Sequence, residues 1–322
     1  MIEFILQLIQ NDSRVLVCCP SNTAVDTILQ RLVLTSLDLN HNKKVRPVRL
    51  GHPARINANI LHYSLDSLIV EDDGTEIVRD IRDDIDKALK TISTSRDAQK
   101  KRDLRLELRG LRKEVRQRET KVVHSILRHR NVVLCTNIGA SHKLLDDIVF
   151  DAVIIDEAAQ ALEASCWIPI VRSSKVIMFG DHQQLPPTIK SQEAASKGLS
   201  LTLFERIMNC DRLYSAARML NIQYRMNRLI ADWASTASYN GKLISDASVA
   251  DHTVLDLPLH HIQQLDDIGI SPMLLIDTSG KCCFWQSLNF YNSIQDVTWR
   301  KNPVKANPIV ISGRRILFVV IS

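Results

Sequence analysis

The sequence predicts an α/β protein: short apolar strands alternate with helices around a parallel sheet, and a long helical hairpin interrupts the alternation. Three observations predict it. The apolar run Val153-Ile154-Ile155 reads as the end of a buried parallel strand, and Asp156-Glu157-Ala158-Ala159-Gln160 follows where that strand leaves the sheet. About one strand–helix unit later, strand-like Lys175–Phe179 runs into Gly180-Asp181-His182-Gln183-Gln184-Leu185-Pro186-Pro187. Between residues 75 and 128 the apolar residues instead recur at helical spacing. In open α/β sheets ligands bind at the carboxyl edge, where Asp156 and Glu157 stand. A carboxylate there can hold Mg²⁺ on a nucleotide, and its neighbour can take a proton from attacking water. The alternative for the Asp-Glu pair alone is an acidic helix start that suits the dipole.

In chain order, Ile2, Ile5, Leu6 and Ile9 share one face of a first helix, and Arg14–Cys19 reads as a strand ending at Pro20. Pro20, Ser21, Asn22 and Thr23 then open a helix over Ala24–Leu34. Short polar side chains beside free helix amides suit a phosphate, and they equally suit simple N-capping. Ile77, Ile81, Ile85, Leu89 and Ile92 predict one hairpin arm, and Leu104, Leu108, Leu111, Val115, Val122 and Ile126 the other, with Ser93-Thr94-Ser95 as the turn. Residues 71–90 hold eight acidic and four basic side chains, and residues 96–130 thirteen basic and five acidic, so the arms should attract each other weakly. The basic surplus of the second arm can track a phosphate backbone or simply face solvent. Val132–Cys135 reads as a strand that ends at Thr136 and Asn137. Further on, Ser200–Met208 predicts an amphipathic helix, Ile230–Tyr239 another helix, and Met273–Asp277 a strand.

Bulk composition sets wider bounds. Apolar content of 45% supports a full core, and a net charge of +5 fits a polyanionic partner without requiring one. Seven cysteines form no C-x-x-C pair, which argues against a zinc site or a disulfide framework and for a reducing compartment. Cys18 and Cys135, in strand-like runs, are expected as buried thiols. No signal peptide or membrane-spanning run is present, and Ile316–Ile321 is too short to cross a bilayer.

Four ordered segments now combine: Cys19-Pro20-Ser21-Asn22-Thr23-Ala24-Val25-Asp26, Val153–Gln160, Gly180–Pro187 and Gln223-Tyr224-Arg225-Met226. They resemble motifs Ia, Walker B, III and IV of superfamily 1 helicases. Leu50-Gly51-His52-Pro53-Ala54-Arg55 and Ala161–Pro169 narrow the resemblance to the nonsense-decay helicase-like group, nearest the immunoglobulin-mu-binding type. The resemblance implies a RecA-like P-loop NTPase motor domain over 1–210, with a helical insertion at about 71–128. The start of a second RecA-like domain follows over 211–280, and then a divergent tail, 281–322. It also implies ATP and Mg²⁺ as cofactors, with Asp156 as metal ligand, Glu157 as base and Gln160 in the same pocket. Gln184 would sense the γ-phosphate, Asp181 would couple the sites, Arg225 would reach the γ-phosphate and Tyr224 would pack on the nucleotide. Pro20, Ser21, Asn22, Thr23, Thr136 and Asn137 would contact single-stranded DNA or RNA.

The same resemblance implies 5′→3′ unwinding by a monomer of cytoplasm and nucleus, with ribosome or ribonucleoprotein association and no membrane. The family's Gly-rich phosphate loop (Walker A) and its late motifs do not occur in the sequence, so the chain alone is expected to show negligible ATPase activity. Two alternatives stay open. One is a catalytically inactive product with weak nucleic-acid binding. The other is a nucleotide-independent interaction module built on the hairpin. The tail carries six of the sixteen aromatic residues and is expected to be unstructured, with an aggregation-prone apolar end.

Overall fold

The computed structural model describes residues 1–38, 44–72, 74–94, 98–214, 216–253, 256 and 315–321. The chain divides into two compact units, Met1–Arg218 with Ile311–Ile321, and Met219–Val310 with Ser322.

The first unit is built on a parallel sheet of β1 (Val15–Cys19), β2 (Pro47–Arg49), β3 (Val132–Thr136), β4 (Ala152–Ile155) and β5 (Lys175–Gly180). Val, Ile, Leu and Cys fill β1, β3 and β4, and these strands are buried along nearly their whole length, as parallel strands covered on both faces must be. The strand order β2-β3-β1-β4-β5 places β1 at the centre. From β1 the chain crosses to β2 and β3 on one side, and β4 and β5 lie on the other. The crevice at this change of direction opens at the carboxyl ends of β1 and β4, the usual place for a ligand in such sheets.

Helices α1 (Ile2–Gln10) and α2 (Asn22–Asp38) pack on β1. Ile5, Leu6 and Ile9 of α1 and Val25, Ile28, Leu29 and Leu32 of α2 close with Val15, Val17 and Ile154 into the main core. Burying such a side chain contributes about 1.5–3 kcal/mol, so this apolar stripe holds the sheet edge in shape. After β2 the chain forms α3 (Leu65–Glu71), and then the hairpin α4 (Gly74–Thr94) and α5 (Ala98–His129). Val78, Ile81 and Val115, with Ile85 and Leu111, are the seam between the arms. Helix α5 runs directly into β3, and Asn131 between them donates to the Arg46 carbonyl at 3.2 Å while accepting from Val15 N at 2.9 Å. The hairpin therefore springs from the amino edge of the sheet, opposite the edge that carries the motifs.

The inter-arm attraction takes a different form from the one the charge counts predict. The described ion pair between the arms is Arg82 of the acidic arm with Glu119 of the basic arm, at 2.5 Å. Lys87 pairs with Asp84 within α4, and Arg118 with Glu114 within α5. Apolar burial rather than opposite net charge joins the arms, because exposed charges at this range are screened.

Helix α6 (Glu163–Ile170) follows β4 only after a tight turn, and α7 (Leu203–Met208) follows β5. The helix predicted from Ser200 starts later, at Leu203, because Gly198 takes φ 100° and Thr202 accepts from Glu205 N at 3.1 Å as the N-cap. The apolar end of the tail also departs from expectation. Arg315–Ile321 forms a strand parallel to β5, with Ile316 opposite Val176 and Val320 opposite Gly180. An edge strand leaves a row of unpaired backbone groups, and a short β-branched segment satisfies them. Numbered in chain order it is β9, after β6 (Ala217–Leu220), β7 (Ile222–Gln223) and β8 (Ile244–Ser245).

The second unit is described through residue 253 and at residue 256. Here β7 pairs in parallel with β8, and α8 (Arg228–Ser238) lies between them in the chain. The strand predicted at Met273–Asp277 lies outside the described residues. Among the described residues no helix is long and apolar enough to cross a membrane.

Candidate functional site

The carboxyl edge of the first sheet gathers three of the four motif segments. Register brings them together: Cys18 of β1 lies beside Ile155 of β4, Ile155 beside Met178 of β5, and Cys19 beside Thr136 of β3.

Asp156 leaves β4 with its backbone N–H donated to the Cys18 carbonyl at 2.8 Å. It is not a helix cap. The following residues Ala158–Gln160 are a single 3₁₀ turn, and α6 begins only at Glu163. Its pKa is raised to about 6, first by burial and then by the adjacent Glu157 carboxylate, against smaller lowering from a backbone hydrogen bond at Glu157, the Met1 ammonium and Arg31. Among the described residues the Asp156 carboxylate makes no ion pair. A buried carboxylate that resists ionisation and feels the Met1 ammonium and Arg31 without forming an ion pair with either is a donor a divalent cation would satisfy. The residues present therefore fit a magnesium nucleotide at this edge.

Glu157 adopts φ 51° and ψ 38°, a left-handed conformation uncommon for glutamate and costing about 1 kcal/mol. Its Oε2 accepts from Gln160 Nε2 at 3.0 Å, so Gln160 sits in the same pocket and holds the carboxylate. Gly180 explains how the next strand comes so close. A Cβ there would stand 2.9 Å from Ala159 N and 3.2 Å from Ala158 N, so only glycine admits the turn against β5. Asp181, next along, is buried, accepting from Gln183 N at 2.9 Å and from Gln184 Nε2 at 2.8 Å. The two residues assigned to sensing and coupling are thus bonded to each other.

Pro20, Ser21 and Thr23 are exposed at the end of β1, beside Thr136 at the end of β3. Ser21 Oγ accepts from Ala24 N at 3.2 Å, which is the capping role weighed for it. Thr136 Oγ1 accepts from Gly139 N at 3.1 Å. Asn137 is enclosed at 1% exposure, and neither polar atom of its side chain has a partner. Asn22 turns inward, its Oδ1 accepting from Arg49 Nη2 at 2.9 Å.

That last bond belongs to a network the sequence reading missed. Arg49 is fully buried, and its Nε donates to Asp26 Oδ1 at 2.9 Å. It also donates to the Leu50 carbonyl, while Asp26 Oδ2 accepts from Asn57 N at 2.9 Å. Asn22 and Asp26 lie one turn apart on α2, so a single guanidinium fixes the start of α2 to the loop after β2. The available signal was an arginine inside the apolar run Val48-Arg49-Leu50, in the strand that follows a helix carrying an unexplained aspartate, Asp26.

In the second unit, Gln223 was likewise missed. It is buried, and its Oε1 accepts from Arg225 N at 2.8 Å and Met226 N at 2.7 Å. Its Nε2 donates to the Met226 carbonyl at 2.7 Å and to Ser245 Oγ at 2.6 Å. Four bonds from one side chain hold the loop that presents Tyr224 and Arg225, both exposed. The Tyr224 hydroxyl lies against Asp246, whose carboxyl is held below the usual range chiefly by Ser248 and to a lesser extent by Tyr224.

With this geometry in place, comparison with known proteins gives a consistent picture. The family described as an AAA domain matches residues 1–192, and a second family of the same description matches residues 199–300. The second match passes residue 280, where the motif pattern loses its resemblance. The chain is 44% identical over 284 residues to the DNA-binding protein SMUBP-2 of Mus musculus, covering 87% of this chain and 27% of that protein. It is 39% identical over 280 residues to the DNA polymerase alpha-associated DNA helicase A of Schizosaccharomyces pombe, covering 87% and 40%. Against the ATP-dependent helicase NAM7 of Saccharomyces cerevisiae it is 34% identical over 246 residues, covering 75% and 22%. The chain spans less than half the length of each of these relatives. The parallel α/β unit with its edge motifs, the two AAA matches and these relatives place the chain in the superfamily 1 helicases, in the group that contains SMUBP-2 and NAM7.

Proposed function

We propose that this chain is the motor segment of an ATP-dependent helicase that moves along single-stranded DNA or RNA and separates duplexes in the 5′→3′ direction. The observation that carries the reading is one sheet edge. It holds a buried carboxylate without an ion-pair partner among the described residues, a glutamate fixed by Gln160, and a glutamine fixed by Asp181, next to an exposed polar strand end at Pro20–Thr23.

When bound, the magnesium nucleotide would supply the γ-phosphoryl group that water attacks, with the nucleoside diphosphate as leaving group. Asp156 would hold the cation. Glu157, kept in place by its left-handed turn and by Gln160, takes the proton from water. Gln184 offers its amide to the leaving charge, and Asp181 sets the direction of that amide. Because Asp181 lies one strand from Asp156, any change in the contact of Gln184 is passed to the turn that Gly180 packs against. Arg225, exposed and backed by Gln223, is the arginine assigned to the nucleotide's γ-phosphate in this reading. Ser21, Thr23 and Thr136 grip the strand through its phosphates, so binding is sequence-tolerant and weakens with salt. The same reading gives a monomer that works in cytoplasm and nucleus, with ribonucleoprotein particles as places of action.

The test is nucleic-acid-stimulated ATP hydrolysis by the natural gene product carrying this segment, wild type against Glu157→Gln. The expected result is a fall of roughly 10³-fold in turnover with nucleotide binding retained. Equal turnover in the two proteins would overturn the assignment of Glu157.

A further inference from the structure

We infer that the outer face of α5 is a docking strip for the phosphate backbone of a nucleic-acid duplex, separate from the strand-binding sheet edge. Arg105, Arg109, Arg112, Lys113 and Lys121 are all exposed. The residues that bind α4, including Leu111 and Val115, occupy the other side of the helix. Arg109, Arg112, Lys113 and Lys121 lie with Gln117 and Thr120 along one open face of the helix.

The first argument concerns what these cations do in the protein. Charges that hold a hairpin together should meet carboxylates on the facing arm. Among the described residues these five make no ion pair, while Arg82 and Glu119 supply the inter-arm bridge from the opposite charge classes. Two of the carboxylates on α5 are already engaged, Glu114 by Arg118 and Glu119 by Arg82, and Glu107 stands exposed. Net positive charge is therefore left facing solvent along the strip, with no structural duty in the described fold.

The second argument concerns the partner. Single strands bind through base stacking on aromatic side chains as well as through phosphates. Helix α5 contains no Phe, Tyr or Trp over its 32 residues. A surface that offers only charge reads only backbone, and a long unbroken helix offers it as one continuous row. From Arg105 to Lys121 the strip runs about 24 Å at 1.5 Å per residue, the axial length of about seven base pairs. Gly110 lies in this stretch, and a Cβ there would meet nothing in the protein. A mid-helix glycine that nothing in the fold requires leaves room for close approach of a backbone. The strip also belongs to a hairpin rooted at the amino edge of the sheet, so it is not an extension of the Pro20–Thr23 groove.

The experiment needs no nucleotide, so it can fail or succeed independently of ATP hydrolysis. Fluorescence anisotropy of the whole chain with a labelled random-sequence DNA duplex is measured across a salt series. The variant carries Arg109→Gln, Arg112→Gln, Lys113→Gln and Lys121→Gln together. Its control removes the same charge elsewhere, with exposed Lys44, Lys175, Lys190 and Lys242 all changed to Gln. The expected result for the strip variant is about tenfold or greater loss of duplex affinity, and a salt slope shallower by about 3–4. The control and an unstructured single strand should change far less. An unchanged affinity, or equal losses in strip variant and control, overturns the proposal. An equal loss for the single strand overturns the assignment to duplex. Unaltered circular dichroism secures the reading, since all the substituted side chains are exposed.

Discussion

Arg49→Met is the sharpest test of how the start of α2 is held. The guanidinium is fully buried and serves Asp26, Asn22 and the Leu50 carbonyl at once. Methionine fills much of the volume but donates nothing. Asp26, at 8% exposure, would keep only the Asn57 amide at 2.9 Å. Removing one partner of a buried pair costs about 3–5 kcal/mol, because the remaining charge is stranded out of water. At an m value of about 3 kcal/mol/M, the urea midpoint falls by roughly 1–1.7 M. The double variant Arg49→Met with Asp26→Leu removes the stranded charge and should regain most of that loss. Urea unfolding followed by far-ultraviolet circular dichroism reads both. A single-variant midpoint within roughly 0.3 M of wild type would refute the reasoning, and so would a double variant less stable than the single. Arg49→Lys should fall between, since an ammonium cannot span the fork of acceptors that the guanidinium meets.

Gly180→Ala should destabilise by about 2–3 kcal/mol and lower ATP turnover, since its Cβ would sit 2.9 Å from Ala159 N; a urea midpoint equal to wild type would sink this. For Asp156 the sign runs opposite to the usual carboxylate. Its native pKa of about 6 exceeds the ordinary 3.8, so between these values the native state holds a proton that the unfolded chain has lost, and stability falls as pH rises. In metal-free, nucleotide-free buffer Asp156→Asn should therefore match wild type near pH 4 and exceed it by on the order of 2–3 kcal/mol above pH ~7, read as Tm against pH; parallel pH profiles would refute it. Gln223→Leu removes four hydrogen bonds around Tyr224–Met226, so limited trypsin digestion should cleave after Arg225 many times faster than in wild type, and an unchanged rate would refute that role.

The sheet was legible because its signals are local. Val15–Cys19, Val132–Thr136 and Ala152–Ile155 are apolar runs of strand length, closed by Pro20, Thr136 and Asp156, and the structure puts strands there. The hairpin was legible for the same reason, its apolar spacing leaving only the helical period. What stayed hidden depends on residues far apart in sequence. Arg49 meets Asp26 across 23 positions, and Arg315–Ile321 pairs with β5 across about 140. The left-handed turn at Glu157 was hidden for another reason. Glutamate has no preference for that region, so only the packing of Gly180 against Ala158 and Ala159 imposes it. The weak attraction expected from the net charge of the two arms is a separate matter from the specific pair Arg82–Glu119, which geometry along the seam sets.

The site loops share one physical device. In each, a polar side chain is consumed inside the loop so that a neighbour can face outward. Gln160 holds Glu157, Asp181 holds Gln184, Arg49 holds Asn22 beside Thr23, and Gln223 holds the backbone of Arg225. A loop at a sheet edge has few apolar contacts to fix it, so hydrogen bonds must supply the rigidity that packing supplies in the core. Reading a motif from sequence merges the two jobs, because holder and contact residue are equally polar and equally close to the strand end. They separate in their response to substitution. Losing a contact residue removes an interaction with the ligand and leaves the loop in shape. Losing a holder leaves every contact group present but spreads it over several positions, so that only a fraction of molecules is competent. Holder variants at this edge should therefore be rescued in part by whatever restrains the loop, such as saturating nucleic acid at Pro20–Thr23. Contact variants such as Glu157→Gln should not be rescued at all, since no restraint replaces the missing base.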